Sequence, residues 1–488
     1  MRAAILLLLT AIAGAACTAQ APGSGSESQS SPTSSRPAAL PAGSVRTMRV
    51  DYYHTGNNKQ ELFALDEISL EPAPWPGRVG HPADAMNFGA YGFDVRDRAT
   101  STLLYSEGFG SIFDEWSTTD EATKMNRTFS ESVRFPAPAS PVTLTIRKRD
   151  ASNSWHDVWS ASIDPKDMFV NTAAPAVDAG ALLAIEQHGD PATKVDLLLL
   201  GDGYTAAERA KFEADAKRLV TVLFSTSPFK ERRNDFNVWG LVPAARESGI
   251  SRPSLGVHHD SPAGATYDAF GSERYVLTFD NKAFRRLASY APYDVVEIVV
   301  NGRTYGGGGI YNLYSTVAAG NAFAPYVFVH EFGHHIAALA DEYYTSPVAY
   351  LPAAKRTEPW MPNVTALLEP KALKWADLVT PGTLLPTPWD KDAFEAFSRG
   401  IQARRAELRK NARPEEEMEA LFREEQAAEE AAFAKEKYAH AVGAFEGANY
   451  EAKGFYRPEV NCIMFTRTDH FCTVCRRAID RVIDTYVK

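Results

Sequence analysis

The sequence predicts an α+β chain in two parts, an N-terminal β-sandwich followed by a larger α/β domain that carries a charged helical excursion. Three observations carry this expectation. Short strand-like runs separated by Pro, Gly, Asp and Asn turns fill residues 46–175. Apolar strands alternate with helical patterns across residues 190–488. Residues 391–440 then switch to a dense mixture of Glu, Ala, Arg and Lys. The chain has 488 residues, 45% of them hydrophobic and 23% charged, which suits two globular domains and excludes a disordered or fibrous main state. A formal net charge of −10 supplies no basic footprint, so nucleic acid is not expected as a partner.

Ahead of both domains, Arg2 is followed by an apolar run over residues 3–16, interrupted only by Thr10 and Gly14. This is too short for a bilayer span and right for a secretory signal over residues 1–17. It ends in Ala15-Ala16-Cys17, which resembles the bacterial lipobox, where cleavage leaves a lipidated cysteine at the new N-terminus. Gly14 stands where that pattern has a branched aliphatic residue, which leaves ordinary cleavage at a neighbouring alanine open. Residues 18–45, rich in Ser, Pro, Gly and Ala, read as a disordered tether. The expectation is an exported protein, either secreted or a periplasmic, outer-membrane or cell-surface lipoprotein, that touches membrane only through a lipid on Cys17.

In the sandwich, strands are expected near residues 48–53, 90–95, 101–106, 131–135 and 142–147. His54, His81 and His156 are scattered and read as ordinary core or surface residues, so an accessory or substrate-presenting role fits this domain. In the second domain, residues 195–200 form a nearly continuous apolar strand ending in Gly201-Asp202-Gly203-Tyr204. Thr205 and Glu208 then make a capping box that opens a helix to about residue 224. Further strands are expected at 238–243, 275–279 and 295–300, with a helix at 282–290. The run Gly306 to Gly309 lacks the lysine and following helix of a phosphate loop and reads as flexible backbone beside a cleft. The strand at 310–316 is a place where an extended substrate could pair by β-augmentation. Residues 391–440 hold 12 acidic and 10 basic side chains, the pattern of solvated helices laced by i,i+4 pairs.

The chemistry concentrates at His330-Glu331-Phe332-Gly333-His334, inside an apolar helical stretch. Side chains four apart share a helix face, so His330 and His334 can bind one metal ion. Glu331 lies beside them, placed to take a proton from water activated by the metal and pass it to a leaving amine. Two imidazoles and a carboxylate suit zinc, with a fourth position left for water. Asp341 returns to the same helix face, yet on a straight helix seven residues would displace it by roughly 10 Å along the axis, too far to share the ion. The helix must end and fold back for Asp341 to be the third ligand, and no glycine lies between His334 and Asp341 to ease that turn. Otherwise Asp341 orients a histidine and Glu342 or Glu446 completes the site. His335 points away from the pair, and His258-His259 reads as an incidental surface pair.

Residues 330–344, together with Gly443-Ala444-Phe445-Glu446-Gly447-Ala448, Tyr456-Arg457-Pro458 and Asn461-Cys462-Ile463-Met464, closely resemble the bacterial immunoglobulin-A-peptidase family of zinc metallopeptidases. The β-rich segment resembles that family's N-terminal domain. The resemblance implies zinc held by His330 and His334, Glu331 as general base and acid, and an acidic residue after the helix as a further ligand. The C-terminal piece also resembles the wider metzincin group, in which a methionine turn underlies the metal, and Met464 would take that place. This sequence departs from HExxHxxGxxH, with Ala337 where glycine is expected and Ala340 where the third ligand would stand.

The spacing of Cys462, Cys472 and Cys475 resembles archaeal metzincins, which bind a second structural zinc through four cysteines. With three cysteines here, either His470 is a fourth ligand or two of them form a disulfide and the third stays reduced, the latter being favoured. The function expected is a monomeric zinc endopeptidase acting on protein or peptide substrates. One of Tyr343, Tyr344 or Tyr456 would steady the oxyanion. Two other readings use the same residues: an anchored binding protein with an inactive peptidase domain, and a cell-wall peptide amidase.

Overall fold

The computed structural model describes residues 45–350 and 356–487. The signal over residues 1–17, Cys17 and the tether up to residue 44 lie outside the described residues.

Seven strands, β1 (Arg46–Gly56), β2 (Glu61–Pro74), β3 (Tyr91–Asp97), β4 (Leu103–Phe109), β5 (Arg127–Pro136), β6 (Val142–Arg149) and β7 (Trp155–Ile163), make two antiparallel sheets, ordered β2-β1-β5 and β4-β3-β6-β7. Alternation sends Met48, Val50 and Tyr52 from one sheet and Phe93, Val95, Leu144 and Ile146 from the other into a shared core. Strands β2 and β7 were not legible as alternation. Leu62 and Leu65 of β2 are exposed, and β7 is an edge strand with one fully buried residue, Ile163. The reverse face of β1 is polar and also covered: Arg49 pairs with Asp51 at 2.8 Å and with Glu71 at 3.3 Å. From β5, Arg134 donates to the Tyr293 carbonyl at 3.0 Å and so ties the sandwich to the second domain. A short helix between β4 and β5, α1 (Ile112–Ser117), buries Ile112, Phe113 and Trp116.

The second domain is built on a six-stranded sheet of β8 (Leu183–Glu186), β9 (Val195–Asp202), β10 (Phe236–Leu241), β13 (Val295–Val300), β14 (Gly307–Ile310) and β15 (Tyr314–Ala318), ordered β14-β15-β13-β9-β10-β8. The four inner strands are parallel and both edges antiparallel. A two-stranded ribbon, β11 (Ala265–Thr266) with β12 (Leu277–Thr278), lies outside it. Parallel strands buried on both faces read as apolar runs, and here the faces divide cleanly. Leu197, Leu199, Val295 and Val299 face α2 (Arg209–Leu223) and α4 (Ala324–Ala337). Leu198, Leu200, Val296 and Ile298 face α3 (Asn281–Ala288) together with Phe113 and Trp116 of α1. The Thr205–Glu208 capping box forms as expected and opens a short 3-10 turn that runs into α2.

The charged excursion is a pair of helices, α5 (Lys391–Lys410) and α6 (Glu415–Phe433). Pairs such as Arg399–Glu395 and Arg413–Glu417 lace their outer faces. Solvated helices are only half the answer, because α6 buries Met418, Leu421, Phe422 and Phe433, with Phe422 edge-on to Tyr305 and Phe323. The chain ends with a hairpin, β16 (Phe445–Ala448) and β17 (Glu451–Arg457), and helix α7 (Thr473–Ile483). No helix among the described residues is long and apolar enough to cross a membrane.

Candidate metal centre

Helix α4 starts with a proline in its first turn and carries a mostly apolar face into the core, which leaves the His330–His334 edge toward a cleft. The helix stops at Ala337. Ala338 takes the left-handed conformation at φ 53°, its N–H donates to the His334 carbonyl, and the Leu339 N–H reaches back to the Gly333 carbonyl. The Ala338 bond is the single 5→1 bond of an αL helix end, made here without a C-terminal glycine. Gly333 supplies the missing room, since a Cβ there would stand 3.2 Å from Leu339 Cδ1 and 3.0 Å from Phe471 Cε1. The chain therefore folds back within three residues and returns Asp341 to the histidines.

His330 Nε2 and His334 Nε2 are 3.2 Å apart, and Asp341 Oδ1 lies 3.0 Å from the first and 3.3 Å from the second. The two contacts to Asp341 are not aligned as hydrogen bonds, so Oδ1 is a buried carboxylate oxygen with no hydrogen-bond partner. Ligand atoms bound at ~2.0–2.1 Å to one tetrahedral ion stand roughly 3.3 Å apart, close to what is seen. The far side of each ligand is held. His330 Nδ1 donates to the Ile463 carbonyl at 2.8 Å and His334 Nδ1 to the Leu339 carbonyl at 2.5 Å, which orients both rings with Nε2 inward. Asp341 Oδ2 accepts from the Tyr450 hydroxyl at 2.5 Å. Burial would lower the His334 pKa, but the Asp341 carboxylate outweighs it and lifts it to about 9. Burial likewise opposes ionisation of Asp341, and the two imidazoles hold it well below the usual carboxylate range all the same. The donor set fits a divalent metal.

Glu331 lines the same cleft, and burial raises its pKa above the ordinary range despite both histidines. The glycine run lies directly beneath it. A Cβ on Gly307 would meet Glu331 Cγ at 3.2 Å, and one on Gly309 would stand 2.4 Å from the Glu331 carbonyl oxygen and 3.0 Å from His334 Cβ. These glycines form an ordered strand pressed against α4, which replaces the flexible segment expected from the sequence. The edge of the sheet is β14 itself, whereas β15 is enclosed between β14 and β13, so the 310–316 segment is not the free strand anticipated for a substrate.

Other expected residues sort by position. His335 is buried and structural: its Nδ1 donates to the Ile310 carbonyl at 3.1 Å, its Nε2 accepts from Val296 N–H at 3.0 Å, and burial holds its pKa down at about 3. Glu446 pairs with Lys391 at 3.0 Å on the hairpin, away from the histidines. Glu342 turns to the opposite side from Asp341, toward the cysteines. Of the three tyrosines, Tyr343 lines the cleft and accepts from Arg274 at 3.1 Å, while Tyr344 packs on Phe394 and Phe465. Tyr456 sits in β17, paired with Thr365.

The favoured disulfide is absent, since Cys462, Cys472 and Cys475 are all free and buried. His470 is half exposed and bonds to Thr468, so it is no fourth ligand to them.

Tyr450, Asn363 and Arg274 escaped the sequence reading. Tyr450 stands with Asn449 at the two-residue tip of the β16–β17 hairpin, both at positive φ, and the only cue was an asparagine between two short strands. Asn363 accepts from Ala340 N–H at 2.8 Å and donates to the Ala340 carbonyl at 2.9 Å, clamping the fold-back from a segment distant in sequence. The cleft, about 370 Å³, has a second wall from α1, through Ser111, Asp114 and Glu115.

Glu331 beside two oriented imidazoles and the Asp341 carboxylate, all opening on one cleft, is an arrangement suited to a hydrolase of the metallopeptidase type. Comparison with known families agrees: residues 183–483 match IgA Peptidase M64 and residues 42–160 match Peptidase M64 N-terminus. The chain belongs to the IgA peptidase M64 family. No curated protein matches the chain.

Proposed function

We propose that this metallopeptidase is a zinc-dependent endopeptidase that cleaves peptide bonds in proteins, with His330, His334 and Asp341 as metal ligands and Glu331 as general base and acid. The observation that carries this reading is the triangle of ligand atoms 3.0–3.3 Å apart, with both histidines tied at Nδ1 to backbone carbonyls. Two nitrogens and one carboxylate oxygen at that spacing favour zinc. Bound there, the ion would supply Lewis acidity that activates water and polarises a carbonyl. Everything else falls to the chain. Glu331 takes the proton of the attacking water and delivers it to the leaving amine. Tyr343, its oxygen accepting from Arg274, is placed to donate its own proton toward an oxyanion in the cleft. Edge strand β14 flanks the same cleft; Gly307 is already bonded to Arg274 and Val276, and Gly309 is the position that would meet an extended substrate.

Met464 supports a metzincin-like reading of this floor. It is fully buried in a tight turn closed by Phe465 N–H to the Cys462 carbonyl, and its own carbonyl accepts from Glu342 N–H at 2.8 Å.

In a Glu331→Gln variant, metal content should stay at the wild-type level while hydrolysis of a protein substrate falls by ~10²–10⁴-fold. Undiminished hydrolysis with normal metal would sink the assignment. Release of cell-wall peptides in place of protein cleavage would move the reading to an amidase. The apolar run ending at Cys17 supports export and lipid tethering; incorporation of labelled fatty acid that vanishes in Cys17→Ala checks it, and labelling that persists refutes it.

A further inference from the structure

Behind the catalytic ligands lies a second cluster that the peptidase chemistry does not use. Glu342, Cys462, Cys472 and Cys475 each offer one ligand atom, and the four atoms lie within 4.8 Å of one another. All four residues are at most 1% exposed. Cys462 Sγ is 3.8 Å from Cys475 Sγ, and Cys475 Sγ is 3.5 Å from Glu342 Oε1. A disulfide needs about 2.05 Å between its sulfurs, so the first distance is no bond. For a tetrahedral ion with bonds of ~2.3 Å to sulfur and ~2.0 Å to oxygen, the expected separations are about 3.8 Å and about 3.5 Å.

Thiols bonded only to one another would leave this pocket unsatisfied. The S–H group is a weak donor, and Glu342 Oε2 is buried with no hydrogen-bond partner at all. The backbone is arranged for sulfur as an acceptor: Cys472 N–H points at Cys462 Sγ at 3.2 Å, and Cys475 N–H at Cys472 Sγ at 3.4 Å, where Cys472 caps the N-terminus of α7. Donors of this kind stabilise thiolates.

We infer that Glu342, Cys462, Cys472 and Cys475 form a second, structural site for a thiophilic divalent cation, zinc by its tetrahedral sulfur-rich donor set. Neighbouring carboxylates then serve two centres, Asp341 facing the cleft and Glu342 facing the sulfurs. The same ion would pin the Cys462–Phe465 turn, whose Ile463 carbonyl orients His330, so the second centre positions the first.

The test is metal analysis of the full chain beside a His330→Ala/His334→Ala variant. The double variant should lose peptidase activity, keep one tightly bound zinc, and after exchange for cobalt show a thiolate-to-cobalt charge-transfer band. Alkylating reagents should reach the three thiols only after denaturation with chelator. Glu342→Gln should weaken the retained metal at least tenfold and alter the cobalt spectrum, a readout that does not depend on a cysteine variant folding. A double variant that folds and binds no metal, or a Cys–Cys disulfide found by mass spectrometry in the native chain, overturns the proposal. Should the histidine substitutions leave hydrolysis intact while the thiolate band persists, the catalytic assignment fails and this site stands.

Discussion

Asp341 and Glu342 are adjacent in sequence and belong to opposite surroundings. On the Asp341 side, the ligand atoms face a cleft of about 370 Å³, and each is braced from behind by a carbonyl or a tyrosine hydroxyl. On the Glu342 side, three cysteines and a carboxylate are closed off from solvent, and the bracing comes from backbone N–H groups and Asn363. The difference teaches that access separates the two clusters more than composition does. Only the first opens on a cleft, and only the first has Glu331 beside it.

The sharpest way to break the comparison is Asp341→Asn, which replaces an anionic ligand with a neutral amide. Affinity for the catalytic metal should drop by more than ~100-fold, taking activity with it, while the three cysteines keep their reactivity. Titration with a competing chelator would read this, and unchanged affinity would return the third ligand to another residue. Tyr450→Phe removes one hydrogen bond from Asp341 and keeps the ring. Metal affinity should weaken by ~10–100-fold with little change in urea midpoint. Asn363→Ala strikes the element shared by both sides, because Asn363 bonds Ala340 through both its groups and Glu342 at 2.9 Å. It should destabilise the chain by about 3 kcal/mol, measured by urea unfolding, since buried partners are left unsatisfied.

The smallest effect concerns the cleft wall. Burial, offset in part by Tyr275 and Tyr350, raises Glu115 to about 7. A carboxyl with a raised pKa is neutral below that pH and anionic above it, so the wall gains negative charge as pH rises from about 6 to about 8. KM for peptides carrying a basic residue should fall a few-fold relative to neutral analogues over that range, and Glu115→Gln should flatten the ratio. A wild-type ratio that stays level would remove Glu115 from substrate contact.

Much of this centre was legible because helical periodicity states outright that residues four apart share a face, which is all His330 and His334 require, and Glu331 follows by adjacency. Asp341 was only conditionally legible. Its return depends on Ala338 adopting a conformation that sequence assigns to glycine, and the cause lies in packing: Gly333 vacates the space that Leu339 fills, and Asn363 holds Ala340 from outside the helix. The cysteine pattern was visible, but its fourth member was not, because a carboxylate more than a hundred residues away leaves no local spacing to read. The glycine run shows the opposite error. Four glycines resemble a loop in composition, yet here each missing Cβ next to α4 lets a strand lie against the helix backbone.

Helix α1 gives the two-domain arrangement a further meaning. His330, Glu331, His334 and Asp341 all come from the second domain, while Ser111, Asp114 and Glu115 of the first face the same cleft. The sandwich therefore contributes one wall of the cleft, opposite Arg274, Tyr343 and Tyr450 of the second domain.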